Sequence, residues 1–485
     1  MAMADELPTL KETADVAAST GTTQLLERAV LLLLFAGLLL GILAVLRPFG
    51  TGILFGAILA IAAWPLRDLL LRRGLSRGLT ATLLLMLALA VVVLPLMALA
   101  PGLGERLTQG AGRLRDYFDW ALFLTVAALA VIGVINLYSA TSVLRGTHAE
   151  DYIQQIYWLV GGGIIATLVA AIDYRHYERL GYALYAVGVI LLLLVFILGR
   201  EIRGSSRWIY IGSYSFQPSE FMKLLLVIAL AKYLHDYPRN EGRTLKDLVI
   251  PALLTSVPTT LVMFQPDLGT GLILILVFVS VCALMRLQTR SLIGLGVSVA
   301  ILAPVFWSHG LRGYQNERIN AWLNPDENIL GYNWDAHQAR IAVGNGGWLG
   351  QGFMKGSQNQ FLFLHEQHSD FPFPVFAEEW GFVGSIALIA IYTLLVLWCL
   401  RIASIAKDRF GAVLAIGVGS IVFWHVVFNL GMVTGLLPVV GVTLPLFSYG
   451  GSSVMTVLIG VGLVMNVSMR RFHASSGRMT SLLGI

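Results

Sequence analysis

The chain has 485 residues, of which 57% are hydrophobic and 13% are charged, with a formal net charge of +5 and a mean hydropathy of +0.76. Soluble globular proteins carry roughly 25% charged residues, so this composition excludes an ordinary soluble enzyme and indicates an integral membrane protein. The basic residues collect in short loops, a pattern that signals membrane topology and argues against a nucleic-acid-binding surface.

Apolar stretches recur along the chain, and each is long enough to cross a bilayer, which takes about 20 residues. We count about thirteen of them, near 29–46, 50–66, 79–100, 120–140, 156–172, 181–199, 220–235, 248–264, 269–286, 291–308, 374–400, 411–437 and 441–468. They are far too long for the strands of an outer-membrane barrel. The predicted fold is therefore all-α: a ten-span helical bundle from Trp120 onward, preceded by about three extra apolar segments.

Short loops rich in Lys and Arg usually face the cytoplasm. Five such loops fall on one side when the predicted spans between them are counted, namely 173–179, 235–247, 286–290, 401–409 and 469–478. The same count places 200–219 outside, together with a loop of about 65 residues, 309–373. Loops above about 12–15 residues are usually functional or disordered, and the tryptophans of this one favour an ordered external cap.

Residues 1–118 do not fit this count, because the basic segment 67–78 should be cytoplasmic and three ordinary spans would put 101–119 on the wrong side. The stretch "LRPFGTGILFGAILAIAAWPLRDLLLRR" (46–73) resembles the N-terminal hairpin of autoinducer-2 exporter-like permeases. We therefore predict three domains: an appendage of permease-like sequence at 1–118, a fusion by hypothesis; a core at 119–471; and a cytoplasmic tail at 472–485.

The sequence "HSDFPFPVFAEEWG" (368–381) places a polar cluster where a long apolar segment begins. Asp370 can be interpreted there as a helix N-cap or as a general base at the membrane surface. A zinc site built from His365, Glu366, His368 and Asp370 matches no standard ligand spacing, and we predict no metal site.

Other charged residues lie near the predicted membrane boundaries. Glu220 and Lys223 in "FQPSEFMK" share one face of a helix, as an internal ion pair or as functional groups. Asp267 in "QPDLGTG" is typical of a turn. The remaining candidates are the external arginines Arg203, Arg207, Arg312 and Arg318, with Lys355 after a glycine-rich turn, and the pair His425 and Asn429, which we interpret as making interhelical hydrogen bonds.

Taken together, these motifs resemble the SEDS family, the RodA/FtsW/SpoVE group of cell-wall polymerases. The pieces occur in family order from about Trp120 to Arg471: "DYR", "RW…FQPSEFMK", "QPDLGT", "GYQNERI…LNP", "GYN", "GNGGWLGQGFMKGSQNQFLFL", "HSDFPF…AEEWG" and "LPLFSYGGSS". The "GSQNQFLFL" run is more similar to the RodA branch than to the division branch. The usual "HTDFIFA" of the family is "HSDFPFP" here, and its two prolines remove backbone donors at the start of the helix.

The resemblance implies a peptidoglycan glycosyltransferase that polymerises lipid II into glycan strands during cell elongation. Its partners would be lipid II and the undecaprenyl-linked glycan, a class B penicillin-binding protein, the elongation machinery and membrane lipid, with no nucleic acid. It implies a multi-pass protein of the bacterial inner membrane with its catalytic loop on the periplasmic side. The alternative function is a flippase for the lipid-linked peptidoglycan precursor. A transporter-like function centred on residues 1–118 ranks third.

The resemblance also assigns roles to residues. Asp370 is expected to be the general base. The residues expected to bind substrate or its pyrophosphate are Lys223, Arg207, Arg203, Lys355 and Glu220, and those expected to have supporting roles are Asp267, Arg175, Glu378 and Glu379. No cofactor is required by any motif, although Mg²⁺ or Mn²⁺ could help to neutralise the leaving pyrophosphate.

Overall fold

The computed structural model describes residues 118–144, 148–202, 205–211, 214–238, 244–284 and 333–470, with Leu70, 294, 313–325, 327, 329 and 331. Apart from Leu70 and Phe118, the predicted appendage 1–118 lies outside the described residues. The same holds for the tail 472–485, for Arg203 and Arg312, and for nearly all of the predicted span near 291–308.

Helices dominate the described part of the chain. In order the elements are α1 (Trp120–Thr141), α2 (Asp151–Ala171), α3 (Tyr174–Leu198), β1 (Arg200–Ile202), β2 (Ser205–Ile211), β3 (Tyr214–Phe216), α4 (Pro218–Asp236), a 3₁₀ turn (Leu245–Leu248), α5 (Val249–Phe264), α6 (Leu268–Leu284), α7 (Gly313–Leu323), α8 (Trp334–Asn345), α9 (Ser357–Gln360), α10 (Pro372–Ser404), α11 (Arg409–Thr434) and α12 (Gly451–Arg470).

Seven helical segments of the described chain are long and apolar enough to cross a membrane: α1, α2, α3, the 3₁₀ turn continued by α5, α10, α11 and α12. The prediction of an all-α integral membrane protein is confirmed. Helix α6 is apolar but shorter, and α4 carries charged residues at both ends. The predicted total of ten spans stays a prediction.

Helices α4, α11 and α12 form the centre of the bundle, since most of their residues are buried. Close packing there depends on glycine. A Cβ atom on Gly417 of α11 would collide with Val227 of α4, and one on Gly462 of α12 would lie 2.5 Å from the carbonyl oxygen of Ala166 in α2. Small residues allow such close approach of helices inside a membrane.

Polar side chains and prolines define where the helices begin. Asp119 accepts a hydrogen bond from the backbone N–H of Leu122, and Asp408 accepts one from that of Gly411. Pro218 and Pro372 occupy the first turns of α4 and α10, where the missing N–H costs nothing.

A small antiparallel sheet, in the order β1–β2–β3, connects α3 to α4. In it, Ile209 pairs with Phe216 and Ile211 with Tyr214. The sequence pattern does not predict this sheet. Strand β2 carries Arg207, and the sheet leads directly into the first turn of α4.

The described part of the predicted external loop, 309–373, includes helices α7, α8 and α9, and part of the loop is built into a break in α10. Gly381 interrupts that helix with φ 66° and ψ −162°. The loop closes the break with four backbone hydrogen bonds: Gln351 N to Glu378 O, Gly352 N to Glu379 O, Phe382 N to Gly347 O and Val383 N to Trp348 O, all between 2.9 and 3.1 Å. These bonds satisfy groups that an interrupted helix would leave bare, which is costly in a membrane.

Two glycines make this junction sterically feasible. Gly350 has a φ of +80°, and a Cβ atom there would overlap the backbone carbonyl of Glu379; a Cβ atom on Gly381 would overlap the backbone nitrogen of Gly350. Neither neighbour can move away without breaking the hydrogen bonds described above.

We therefore expect Gly350→Ala to destabilise the protein by about 1–3 kcal/mol, through backbone strain and loss of the junction. Thermal unfolding of the purified protein in detergent measures this. Gly344→Ala is the matched control, because a Cβ atom at Gly344 meets nothing within 4 Å. Equal unfolding midpoints for the two variants would contradict the role of the junction.

Candidate active site

A cavity of about 900 Å³ opens among the ends of the helices, the sheet and the external loop. Each of these elements contributes polar side chains to it. Its lining includes Gln154, Arg207, Tyr210, Gln217, Glu220, Asp267, Arg318, Asp335, His365, Glu366, Ser369, Asp370, His425, Thr443, Tyr449 and Ser453. The structure thus brings together candidates that the sequence singled out, namely Asp370, Arg207, Arg318, Glu220, Asp267 and His425, with His365 and Glu366 of the rejected zinc set.

Asp370 lies in the turn that precedes α10. The N-cap residue of α10 is Phe371, and no side chain makes a cap hydrogen bond there, so the interpretation of Asp370 as the helix cap is wrong. Its backbone is held on both sides: its N–H donates to Glu366 O at 3.1 Å, and its carbonyl accepts from Asn429 Nδ2 at 3.0 Å. A Cβ atom on Gly441 would lie 3.3 Å from Asp370 Oδ2, so the carboxylate faces the 439–443 segment.

The surroundings of Asp370 make its carboxylate more basic than an exposed aspartate. Burial, followed by the nearby Glu366 carboxylate, raises the pKa of Asp370 to about 6; Arg318 and Arg207 oppose the rise, and Asp267 adds to it. A base with a pKa closer to the working pH accepts a proton more readily in a transition state. Arg318 itself is oriented by donating to Val439 O at 3.1 Å.

Arg207 is fixed by the turn between α5 and α6. Its Nη1 lies 3.5 Å from Asp267 Oδ1. Asp267 also accepts hydrogen bonds from the N–H of Thr270 at 3.2 Å and from Gln217 Nε2 at 3.1 Å. The predicted turn role of Asp267 therefore coexists with a second one, because the same carboxylate positions the guanidinium at the cavity wall.

Behind the cavity wall, Lys223 is 1% exposed and bridges two helices. Its Nζ lies 2.8 Å from Glu220 Oε1 and 2.8 Å from His425 Nε2. His425 Nδ1 lies 2.9 Å from Thr443 O. Because a carbonyl can only accept, Nδ1 carries the hydrogen, and Nε2 is assigned as the acceptor of a hydrogen bond from the ammonium. Lys223 does not itself line the cavity; Glu220 does.

Other predicted site residues lie away from the cavity lining. Lys355 is exposed in the external loop, and Arg175 is exposed in the first turn of α3. The Glu378 carboxylate caps α9, accepting from Ser357 Oγ at 2.9 Å and from the N–H of Gln358 at 3.1 Å. Glu379 accepts a hydrogen bond from Ser139 of α1. Glu378 thus links α9 to α10, and Glu379 links α1 to α10, both next to the break at Gly381.

Polar residues of the cavity lining such as Gln217 and Tyr449 are not among the candidates named from the sequence. The side-chain amide of Gln217 donates a hydrogen bond to Asp267. Its backbone N–H donates a second one to Ser452 Oγ at 3.0 Å. Tyr449 OH donates to Gln154 Oε1 at 2.6 Å. The predicted interhelical hydrogen bond is found for His425, which contacts Lys223 of α4. Asn429 instead donates to the carbonyls of Asp370 and Val442, which lie in non-helical segments. Tyr449 lies inside a predicted span, where a polar residue is a functional candidate by default, whereas Gln154 and Gln217 lie just outside the predicted spans and lack that signal.

Comparisons with known proteins agree on one relationship. Residues 119–473 match the family model FTSW_RODA_SPOVE, described as "Cell cycle protein". The chain is 38% identical over 356 residues to the peptidoglycan glycosyltransferase MrdB of Escherichia coli K12, covering 73% of this chain and 94% of MrdB.

Solved structures are similar as well. One similar chain comes from a structure titled "Structural coordination of polymerization and crosslinking by a peptidoglycan synthase complex". It is 34% identical with a TM-score of 0.63, and the match covers 73% of this chain and 98% of that one. The rod shape determining protein RodA of Thermus thermophilus is 32% identical, with a TM-score of 0.55 and the same two coverages.

The buried bridge at Lys223 yields a stability prediction. We expect Lys223→Met to cost about 3 kcal/mol, because it leaves the Glu220 carboxylate buried without its cation. The double variant Glu220→Gln/Lys223→Met should regain part of that loss. Unfolding midpoints in detergent measure both, and a double variant less stable than Lys223→Met alone would refute the pairing.

Proposed function

The chain belongs to the FtsW/RodA/SpoVE family of cell cycle proteins, and from that premise we propose that it is a peptidoglycan glycosyltransferase with Asp370 as its general base. Glycosyltransferase activity in cell-wall synthesis follows from the relatives that carry that name. The observation that carries the assignment of the base is the position of Asp370, which lines a polar cavity together with Arg207 and Arg318.

In the proposed reaction, Asp370 accepts the proton of the GlcNAc 4-hydroxyl of one lipid-linked disaccharide. The freed oxygen attacks the anomeric carbon of the MurNAc at the end of the growing chain. The bond between that carbon and the pyrophosphate breaks, and undecaprenyl pyrophosphate leaves with the electron pair. A single displacement inverts the configuration, so an α-linked donor gives a β-1,4 linkage and no protein nucleophile is needed.

The leaving pyrophosphate requires positive charge where it forms. Arg207 and Arg318 supply it on the cavity wall, and the planar guanidinium suits phosphate oxygens. Lys223 acts indirectly, because its ammonium holds the Glu220 carboxylate and His425 in place. Lys355, exposed outside the lining, is not needed for this arrangement.

The cellular setting is proposed on the same basis. The chain is a multi-pass membrane protein. The positions of the basic loops favour the bacterial inner membrane with the cavity on the periplasmic side, where lipid II and the growing glycan are anchored. The similar chain from a peptidoglycan synthase complex supports a class B penicillin-binding protein as the partner, and the RodA-like motifs favour a role in the elongation machinery.

We expect Asp370→Asn to abolish polymerisation, with a loss of at least about 10²-fold, the lower bound for removing a general base. The assay uses purified full-length protein with its synthase partner in detergent, and labelled lipid II, with glycan length resolved on gels. Asp236→Asn on the exposed end of α4 is the matched control and should keep wild-type activity.

This assay also separates polymerase from flippase, since detergent micelles present no second membrane face for a lipid to reach. A defect in detergent is a defect of chemistry. If Asp370→Asn makes glycan at the wild-type rate, the assignment of the base is wrong.

We further propose that polymerisation resides in residues 119–471 and that the apolar appendage is dispensable to the chemistry. Deleting 1–112, which retains Phe118 and the helix-capping Asp119, should leave the rate of glycan synthesis within about twofold of the full chain, because every cavity-lining residue is kept. A large loss of rate in a correctly folded, monodisperse deletion variant would contradict this division of the chain.

A further inference from the structure

A second cluster of polar side chains lies next to the active-site cavity. It consists of His148, just before α2, Asp151 in the first turn of α2, and His368, two residues before Asp370. His148 Nδ1 lies 2.9 Å from Asp151 Oδ2, and His368 Nε2 lies 3.9 Å from the same oxygen. Asp151 and His368 are buried and His148 is exposed, so the cluster is reached from solvent on the His148 side.

The charge of Asp151 requires a partner. The carboxylate is 2% exposed, and a buried carboxylate is unstable unless it is paired or coordinates a metal. Among the described residues, its recorded ion-pair partners are the two imidazoles of the cluster. Their rings lie 4.6 Å apart, tilted by 31°, and both imidazoles stand beside the same carboxylate oxygen. A cation bound among the three side chains would compensate the charge of Asp151.

The donor atoms have the identity and spacing of metal ligands. One carboxylate oxygen and two imidazole nitrogens all lie within 4.8 Å of one another. Ligands bound at about 2.0–2.2 Å stand roughly 3–4 Å apart, so small side-chain movements bring the three onto one ion. Glu366 Oε2 lies 4.0 Å from His368 Nε2, and this carboxylate or a water can complete the coordination.

We propose that His148, Asp151 and His368 form a binding site for a divalent first-row transition ion. Two imidazoles and a carboxylate suit Zn²⁺ or Mn²⁺, whereas Mg²⁺ prefers oxygen ligands and retains its waters. Of the set His365, Glu366, His368 and Asp370 considered from the sequence, this site keeps His368 and has Glu366 nearby. His365 is instead paired with Asp335 at 2.9 Å.

The ion would join three separate parts of the chain: the connection after α1, the first turn of α2, and the turn that carries Asp370. It would fix His368, whose carbonyl already accepts a hydrogen bond from the N–H of Tyr449 at 2.8 Å. His148, Asp151 and His368 are therefore positioning residues for the base. This positioning role rests on the proposed function of Asp370, but binding of the ion does not.

Metal binding is tested first, without reference to activity. The full-length protein in detergent is stripped with a chelator, dialysed, and titrated with Mn²⁺ followed by electron paramagnetic resonance, or with Zn²⁺ followed by elemental analysis. We expect one ion per chain. His148→Ala should weaken binding at least about tenfold, as even changes in outer-shell partners do; because His148 is exposed, this variant should fold normally.

Asp151→Asn and His368→Gln should weaken binding in the same way. His176→Gln, an exposed histidine of α3, is the matched control and should bind like the wild type. A wild-type protein that takes up no stoichiometric ion overturns the site, and so does a His148→Ala variant that binds as tightly as the wild type.

The positioning role is tested with the same preparations. Removing the ion should lower kcat for glycan synthesis and leave KM unchanged, and re-adding Mn²⁺ should restore kcat in the wild type but not in His148→Ala. If the ion binds and kcat does not respond to it, the positioning role fails while the site stands. If Asp370→Asn is active, the proposed base fails and the binding measurement is unaffected.

Discussion

The ammonium of Lys223 is the interaction on which the site depends. It joins α4 to α11 by contacting Glu220 on one side and His425 on the other, in surroundings where an unpaired charge would be very costly. Helix α11 also carries Asn429, which donates to the carbonyl of Asp370 and to that of Val442. Lys223, Asp370 and the 439–443 segment are therefore supported by the same helix α11, which gives the Asp370 backbone a defined position.

Two carboxylates at the cavity are paired with cations, whereas the pKa of Asp370 is raised by its surroundings. Asp267 pairs with Arg207, and Glu220 pairs with Lys223. Asp370 has a half-buried side chain near Glu366, and its pKa is raised for that reason. Two carboxylates of the same cavity are thus paired with cations, while the pKa of a third is raised. Environment, and not residue type, separates these roles.

The sequence predicts most of the long helices because membrane-spanning helices are long and apolar. It predicts Asp370, Arg207, Glu220 and Asp267 as site residues because these motif residues cluster at predicted helix ends. It does not predict the small sheet, whose outer strands have three residues each, too few for alternation to be visible. The hydrogen-bond partners of Glu378 and Glu379 could not be predicted either, since one is a short helix, α9, 21 residues upstream and the other is Ser139 of α1, 240 residues upstream. A glycine such as Gly381 inside an apolar run gives no indication of its φ angle, so the break in α10 could only be observed.

That break has a consequence for how the protein accommodates different membranes. The segment Pro372–Trp380 is fixed by the external loop, and the longer segment beyond Gly381 faces lipid on much of its surface. Bilayers vary in thickness, and spanning helices respond by tilting. Because the same loop bonds to Glu378 and Glu379 before the break and to Phe382 and Val383 beyond it, the two parts of α10 keep a fixed angle to each other. A tilt of the lipid-facing part therefore has to carry the loop and the segment beside Asp370 with it, which links membrane thickness to the geometry of the cavity.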